Sequence, residues 1–174
     1  GTTIYTVTVT GNGGCTATSS VTVTAGVALT ATPTATPATI CAGASTTLAA
    51  VAAGGGAPYT YLWDNGAGAG ATATVSPSST TTYNVTVTDA CLATATGSIT
   101  VTVNPLPTAT AGSNSPVCAG TNLNLTATTD IGTSFAWAGP NTFTASTQNP
   151  SITGATLAAT GTYTVTVTAA GCTS

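Results

Sequence analysis

Few side chains in this 174-residue chain can do polar or covalent chemistry. There are three carboxylates (Asp64, Asp89 and Asp130) and five thiols (Cys15, Cys41, Cys91, Cys118 and Cys172), with no Lys, Arg or His. Acid–base and nucleophilic catalysis draws on His, Lys, Glu or a nucleophile activated by one of them. The composition therefore predicts a protein that is not an enzyme and takes no cofactor. With no cation to neutralise phosphate, nucleic acid is not expected as a partner, and an isopeptide cross-link through Lys is chemically impossible. Asp64 and Asp89 lie near turn residues, where a carboxylate could help hold Ca²⁺. Such a site wants about six to eight oxygens and usually several carboxylates. Isolated aspartates read more simply as turn caps, and Asp130 sits in the same kind of loop. No metal site is predicted.

The thiols lack a Cys-x-x-Cys pair and a His, so they read as disulfide cysteines rather than zinc ligands. Disulfides point to an extracellular or cell-surface location. Trp63 and Trp137 could stack on a sugar ring or stand in a sandwich core, and parity with Tyr59 and Tyr61 favours the core. Tyr83 and Tyr163 open strands and suit a corner position, with the hydroxyl bonded to nearby backbone. Asn84-Val85-Thr86 and Asn124-Leu125-Thr126 fit the glycosylation pattern but fall inside predicted strands. No run approaches the ~18 continuous apolar residues of a spanning helix, so no membrane insertion is expected in this segment.

These residues recur at fixed intervals. Tyr5-Thr6-Val7-Thr8-Val9-Thr10 returns as Tyr83-Asn84-Val85-Thr86-Val87-Thr88 and again as Tyr163-Thr164-Val165-Thr166-Val167-Thr168. Each copy is followed by a cysteine: Cys15, Cys91 or Cys172. A second class, Cys41-Ala42-Gly43 and Cys118-Ala119-Gly120, precedes Leu48 in one copy and Leu123 and Leu125 in the other. A tryptophan stands between the two classes in each. The markers agree on a repeat of about 77 residues, with residues 1–26 the C-terminal part of one repeat, 27–104 a complete one, and 105–174 a third lacking its last strand. Val–Thr alternation has the period of a strand, and both residues are β-branched. Strands are predicted near 28–35, 45–52, 58–63, 71–75, 82–88 and 94–103. The fold class is all-β: two-sheet sandwich repeats arranged end to end. Pro105 and Pro107 in the joint Asn104-Pro105-Leu106-Pro107 favour a short, stiff connector.

Parity also predicts the core. Leu48, Tyr61, Trp63, Tyr83, Val85 and Val87 face inward in the complete repeat, with Ile99, Val101 and Val103 on its last strand. Leu123, Leu125, Phe135, Trp137, Tyr163, Val165 and Val167 take the equivalent places in the third. A repeat this small buries only about 60–65% of its unfolded surface, and a cross-link would compensate. Cys41 with Cys91 closes a loop of about 50 residues, worth on the order of 4 kcal/mol. Cys118 with Cys172 would do the same, leaving Cys15 unpaired because its partner lies upstream of this segment.

The stretch from Ala73 to Val103, with Ser76-Pro77-Ser78-Ser79 leading into Tyr83-Asn84-Val85-Thr86-Val87-Thr88-Asp89 and then Cys91, resembles the end of the Ig-like and PKD-like repeats of giant Bacteroidetes surface proteins. Tyr61-Leu62-Trp63-Asp64-Asn65-Gly66 is similar to the PKD strand with its Trp-Asp-x-Gly signature, although Asn65 replaces the usual aromatic residue. Val103-Asn104-Pro105-Leu106-Pro107 resembles the joint between such repeats, and Phe135-Ala136-Trp137-Ala138-Gly139-Pro140-Asn141 has counterparts there. The resemblance covers essentially the whole chain. It implies SprB-like gliding adhesins and cell-surface filaments, exported by the type IX route and partnered by neighbouring repeats or like chains.

Two functions follow as expectations. One is a structural region of a secreted adhesin or filament, a disulfide-stapled stalk that works mechanically. The alternative is a carbohydrate- or protein-binding module accessory to a secreted enzyme, with sandwich loops contacting a polysaccharide.

Overall fold

A computed structural model describes all residues, Gly1–Ser174. The chain is all-β, and its only helical segments are two three-residue 3₁₀ turns. It divides into two compact units. The first comprises Gly1–Ala38, Thr46–Val75 and Thr82–Thr100; the second comprises Thr39–Ser45, Ser76–Thr81 and Val101–Ser174.

The first unit opens with a hairpin of β1 (Thr2–Thr10) and β2 (Thr16–Thr24), paired from Thr2↔Thr24 to Thr10↔Thr16. Both strands are exposed along their whole length. β3 (Thr30–Thr36) follows. β4 (Thr39–Cys41) belongs to the second unit, and β5 (Thr46–Ala53) returns to the first. Next come β6 (Thr60–Trp63), β7 (Gly68–Ala69), β8 (Thr72–Val75) and β9 (Thr81–Thr88). β10 (Thr94–Asn104) then runs out of the first unit into the second. One sheet of the first unit has the order β3-β5-β8, and the other has β10-β9-β6-β7. Alternation puts Leu48, Ala50 and Val75 on the buried side of one, and Trp63, Tyr83, Val85 and Val87 on the buried side of the other. Tyr61 is half-buried. Thr46 is the buried polar residue of β5, and its hydroxyl is satisfied by the carbonyl of Pro37 at 2.5 Å.

The second unit holds β4 in a parallel pair with the end of β10, Thr102↔Thr39 to Asn104↔Cys41. It continues through β11 (Ala109–Ser113), β12 (Leu123–Thr129), β13 (Ser134–Gly139), β14 (Phe143–Ala145), β15 (Ser151–Ile152), β16 (Thr164–Ala169) and β17 (Cys172–Thr173). Sheet β11-β12-β15 packs on sheet β14-β13-β16-β17. Between them lie Leu123, Leu125, Ala127, Phe135, Trp137, Ala155 and Val167, with Tyr163 and Val165 half-buried at the margin. Gln148 and Asn149 complete an edge of β12. The Gln148 side-chain amide donates to the Ala127 carbonyl, and the Ala127 N–H donates to Asn149 Oδ1. Two side chains thus do what a neighbouring strand would do, a local device with no periodic signature.

Candidate functional site

The cross-link is the principal covalent feature. Cys41 ends β4, held beside Asn104 by the parallel ladder and by the Ala42 N–H donating to the Asn104 carbonyl at 2.9 Å. Cys172 begins β17, returned onto β16 by a two-residue turn in which Ala170 and Gly171 have φ of 48° and 80°. A two-residue hairpin turn of this type needs two left-handed residues in succession, and Gly171 adopts that conformation without a Cβ penalty. The Asn104 side-chain amide donates to the Ala170 carbonyl, tying this turn to the end of β10. Cys41 and Cys172 form the disulfide, with Cα atoms 5.7 Å apart.

This corrects the expected pairing of Cys41 with Cys91 and Cys118 with Cys172. Cys91 and Cys118 are free and exposed, as is Cys15. The reason is strand length. Cys41 sits at the last residue of β10, whereas Cys91 lies in the turn before its first. Eleven strand residues span about 35 Å, and a disulfide tolerates a Cα separation of at most about 7 Å. Cys118 lies in the turn ahead of β12, where its carbonyl accepts from the Thr121 N–H and hydroxyl. Cys172 follows Thr168, which pairs with Ser134 beyond the other end of β12. Repeat spacing identifies equivalent cysteines but not which ends of the strands they occupy.

Each aspartate is committed to backbone or amide donors. Asp89, 5% exposed, accepts from the N–H groups of Gly56, Cys91 and Ala93, and so fastens the β9–β10 turn to the loop after β5. These bonds, the one from Gly56 foremost, hold its carboxyl below the usual carboxylate range. Asp64 accepts from the side-chain amide and the N–H of Asn84, and the amide bond foremost lowers its pKa. Asp130 accepts from the N–H groups of Thr108 and Ile131, and the Thr108 bond foremost lowers its pKa. It thereby anchors the chain just past the Asn104–Pro107 joint. No three of the Asp and Cys side chains gather where they could hold a metal ion.

Trp63 and Trp137 are 3% and 2% exposed, and their indole N–H groups donate to the carbonyls of Gly70 and Gln148. Neither presents a face to solvent. The Tyr163 hydroxyl donates to the Ala159 carbonyl, four residues back. The Tyr83 ring is buried, which raises its pKa, with the Asp64 charge adding to the effect. Asn84 spends its side chain on Asp64, and Asn124 accepts from the Ser151 hydroxyl.

No family model and no curated protein matches the chain. Among solved structures, it is similar to a 1.5-MDa bacterial ice-binding adhesin studied for host cell surface retention. That match has 17% identity and a TM-score of 0.46, covering 99% of this chain and 71% of the other. The three N-terminal domains of the bacteriophage RB49 highly immunogenic outer capsid protein match at 23% identity and a TM-score of 0.42, covering 80% of this chain. The chain spans about half (53%) of that three-domain fragment. The amphioxus IgVJ-C2 molecule matches at 16% identity and a TM-score of 0.35, covering 78% of this chain and 95% of its own. No helix is long and apolar enough to cross a membrane.

Proposed function

We propose that this chain is a structural repeat region of a bacterial cell-surface adhesin or extracellular filament, a non-enzymatic stalk stapled by a disulfide. The observation that carries the reading is the Cys41–Cys172 bridge, which joins two cysteines 131 residues apart in sequence. Load applied across the bridged segment bypasses most of its ladders and passes through a covalent bond. The composition supports the same reading, and a disulfide suits a secreted, extracellular setting. The finer assignment, to SprB-like gliding adhesins of Bacteroidetes exported by the type IX route, rests on the motif resemblance. Like chains and neighbouring repeats are its expected partners. The alternative, a module binding polysaccharide or protein, is disfavoured by the burial of both tryptophans and the engagement of all three carboxylates.

Single-molecule pulling between the termini tests the stalk. Oxidised chains should release less length than reduced ones by about 450 Å, the contour of 131 residues at roughly 3.4 Å each. Equal release in both states, together with retention of the chain on a glycan array, would favour the binding module.

A further inference from the structure

The Cys41–Cys172 bridge joins residues of two consecutive sequence repeats, Cys41 from 27–104 and Cys172 from 105–174. Its cysteines stand in two kinds of turn, and each kind occurs again with a free thiol. Cys41 opens a turn in which the Ala44 N–H donates to its carbonyl at 2.9 Å and Gly43 has a φ of 85°. Cys118 opens the same turn: the Thr121 N–H donates to its carbonyl at 3.1 Å, and Gly120 has a φ of 87°. Each leads into a core strand, β5 from Thr46 or β12 from Leu123. Cys41 lies beside Asn104, where β10 leaves its repeat.

Cys172 and Cys91 share a different setting, beside the segment by which the chain enters a repeat. In the second unit Asp130 holds the Thr108 N–H, just ahead of β11. The loop that Asp130 begins packs on the Cys172 hairpin, since a Cβ on Gly132 would stand 2.9 Å from the Thr168 carbonyl oxygen and 3.2 Å from Ala169 Cβ. In the first unit the Gly55 N–H donates to the Val27 carbonyl, ahead of β3. Gly56 then grips the Cys91 turn, donating to Asp89 and accepting from the Ala90 N–H. Entry segment, loop and cysteine turn are tied together in the same order in both units.

We propose that the bridge expresses a pairing rule for consecutive repeats: the cysteine at the exit end of one bonds the cysteine at the entry end of the next. Cys118 is then the site that takes Cys91 of a following copy of the 27–104 repeat. The bonded pair shows what an exit turn of this kind binds, a second cysteine held on a turn with its Cα 5.7 Å away. The two cysteines of one repeat cannot bond each other, because they stand at opposite ends of its strands. The connectors agree with the rule. Pro105–Thr108 carries the chain from β10 to β11, and Ala25–Leu29, one residue longer, carries it from β2 to β3. Both thiols are exposed. The oxidant is a small disulfide such as oxidised glutathione. The Cys118 thiolate displaces one glutathione thiolate, and the Cys91 thiolate displaces the second as the new S–S bond forms. Two protein thiols are thereby oxidised, and the glutathione disulfide is reduced to two thiols. Cys118 lies inside the loop that Cys41 and Cys172 close, so bridges formed in series overlap and each joint is crossed by one. The inference rests on the stalk reading, in which repeats stand in series.

The test continues the full chain into a second copy, in the register set by the identical segments Tyr163–Thr168 and Tyr5–Thr10. One cysteine then serves as Cys172 of the first copy and Cys15 of the second. The tandem chain is refolded in oxidised and reduced glutathione, alkylated, and mapped as unreduced peptides by mass spectrometry. Cys118 should be recovered linked to Cys91, alongside Cys41 linked to Cys172. C91S in the second copy should abolish the Cys118–Cys91 peptide, and C91S in the first should leave it. The monomeric single chain should give Cys41–Cys172 and no Cys118–Cys91 peptide. The rule is overturned if Cys118 stays unlinked to Cys91 in the tandem while Cys41–Cys172 forms, if the Cys118–Cys91 peptide survives C91S in the second copy, or if the monomeric single chain yields it. Each of these results leaves the stalk reading standing, whereas absence of the Cys41–Cys172 peptide overturns both.

Discussion

Cys41 and Cys172, 131 residues apart in sequence, lie 5.7 Å apart and are covalently joined, while Cys91 and Cys118 remain free thiols. Peptide mapping without reduction should recover the Cys41 peptide linked to that of Cys172, with Cys15, Cys91 and Cys118 alkylated. In the chain-entropy model a loop of this length is worth about 5 kcal/mol. Reduction, or C41S/C172S, should lower the denaturation midpoint accordingly, and C91S should leave it unchanged. A Cys41–Cys91 peptide would overturn the assignment.

The burial contrast among the three Tyr-x-Val-x-Val copies gives a second expectation. Val85→Ala removes fully buried methyl groups and leaves a cavity, costing about 2 kcal/mol. Val7→Ala, at an equivalent repeat position but 60% exposed, should cost under about 0.5 kcal/mol. Urea titration of the two variants measures both, and equal losses would mean that β1 is covered in solution.

Asp89 predicts an acid-labile first unit. Three N–H donors depress its pKa in the folded chain, so its contribution is fully present above the unfolded value of about 3.9 and is lost as pH falls through the folded one. Asp64 and Asp130 share that sign. The melting temperature should be level near neutrality and fall below about pH 4. Asp89→Asn should melt several degrees lower at pH 7 and show a shallower acid limb. An identical acid limb in the variant would exclude Asp89 as a contributor.

Gly139 and Tyr163 give a steric test. A Cβ at Gly139 would stand 2.3 Å from the Tyr163 ring, which also meets Phe143 edge-on at 5.5 Å. Gly139→Ala should therefore displace the ring and cost about 1–3 kcal/mol, visible as a loss of near-UV circular dichroism. An unaltered near-UV spectrum would show that the ring does not sit where the structure places it.

The all-β character was legible because period-two alternation of Val and Thr is a local property of the chain, set by backbone geometry and β-branching. The β9–β10 hairpin and the strand carrying Trp63 follow from it directly. The Gln148–Asn149 clamp on Ala127 was not legible, since single amides filling one ladder position have no period. The role of Asp89 was visible only in part: a turn cap could be read from its neighbours, but not its bond to Gly56, 33 residues away.

The sequence by itself determined that strands form, where they repeat, and which chemistry is missing, because propensity, spacing and composition are carried residue by residue. Only the tertiary structure decided which cysteines meet and which of three near-identical strands is covered. Disulfide partners depend on which ends of long strands come together, and burial depends on what lies along each edge. Tyr5–Thr10 and Tyr163–Thr168, identical residue for residue, therefore differ in exposure for a reason that no reading of those residues contains.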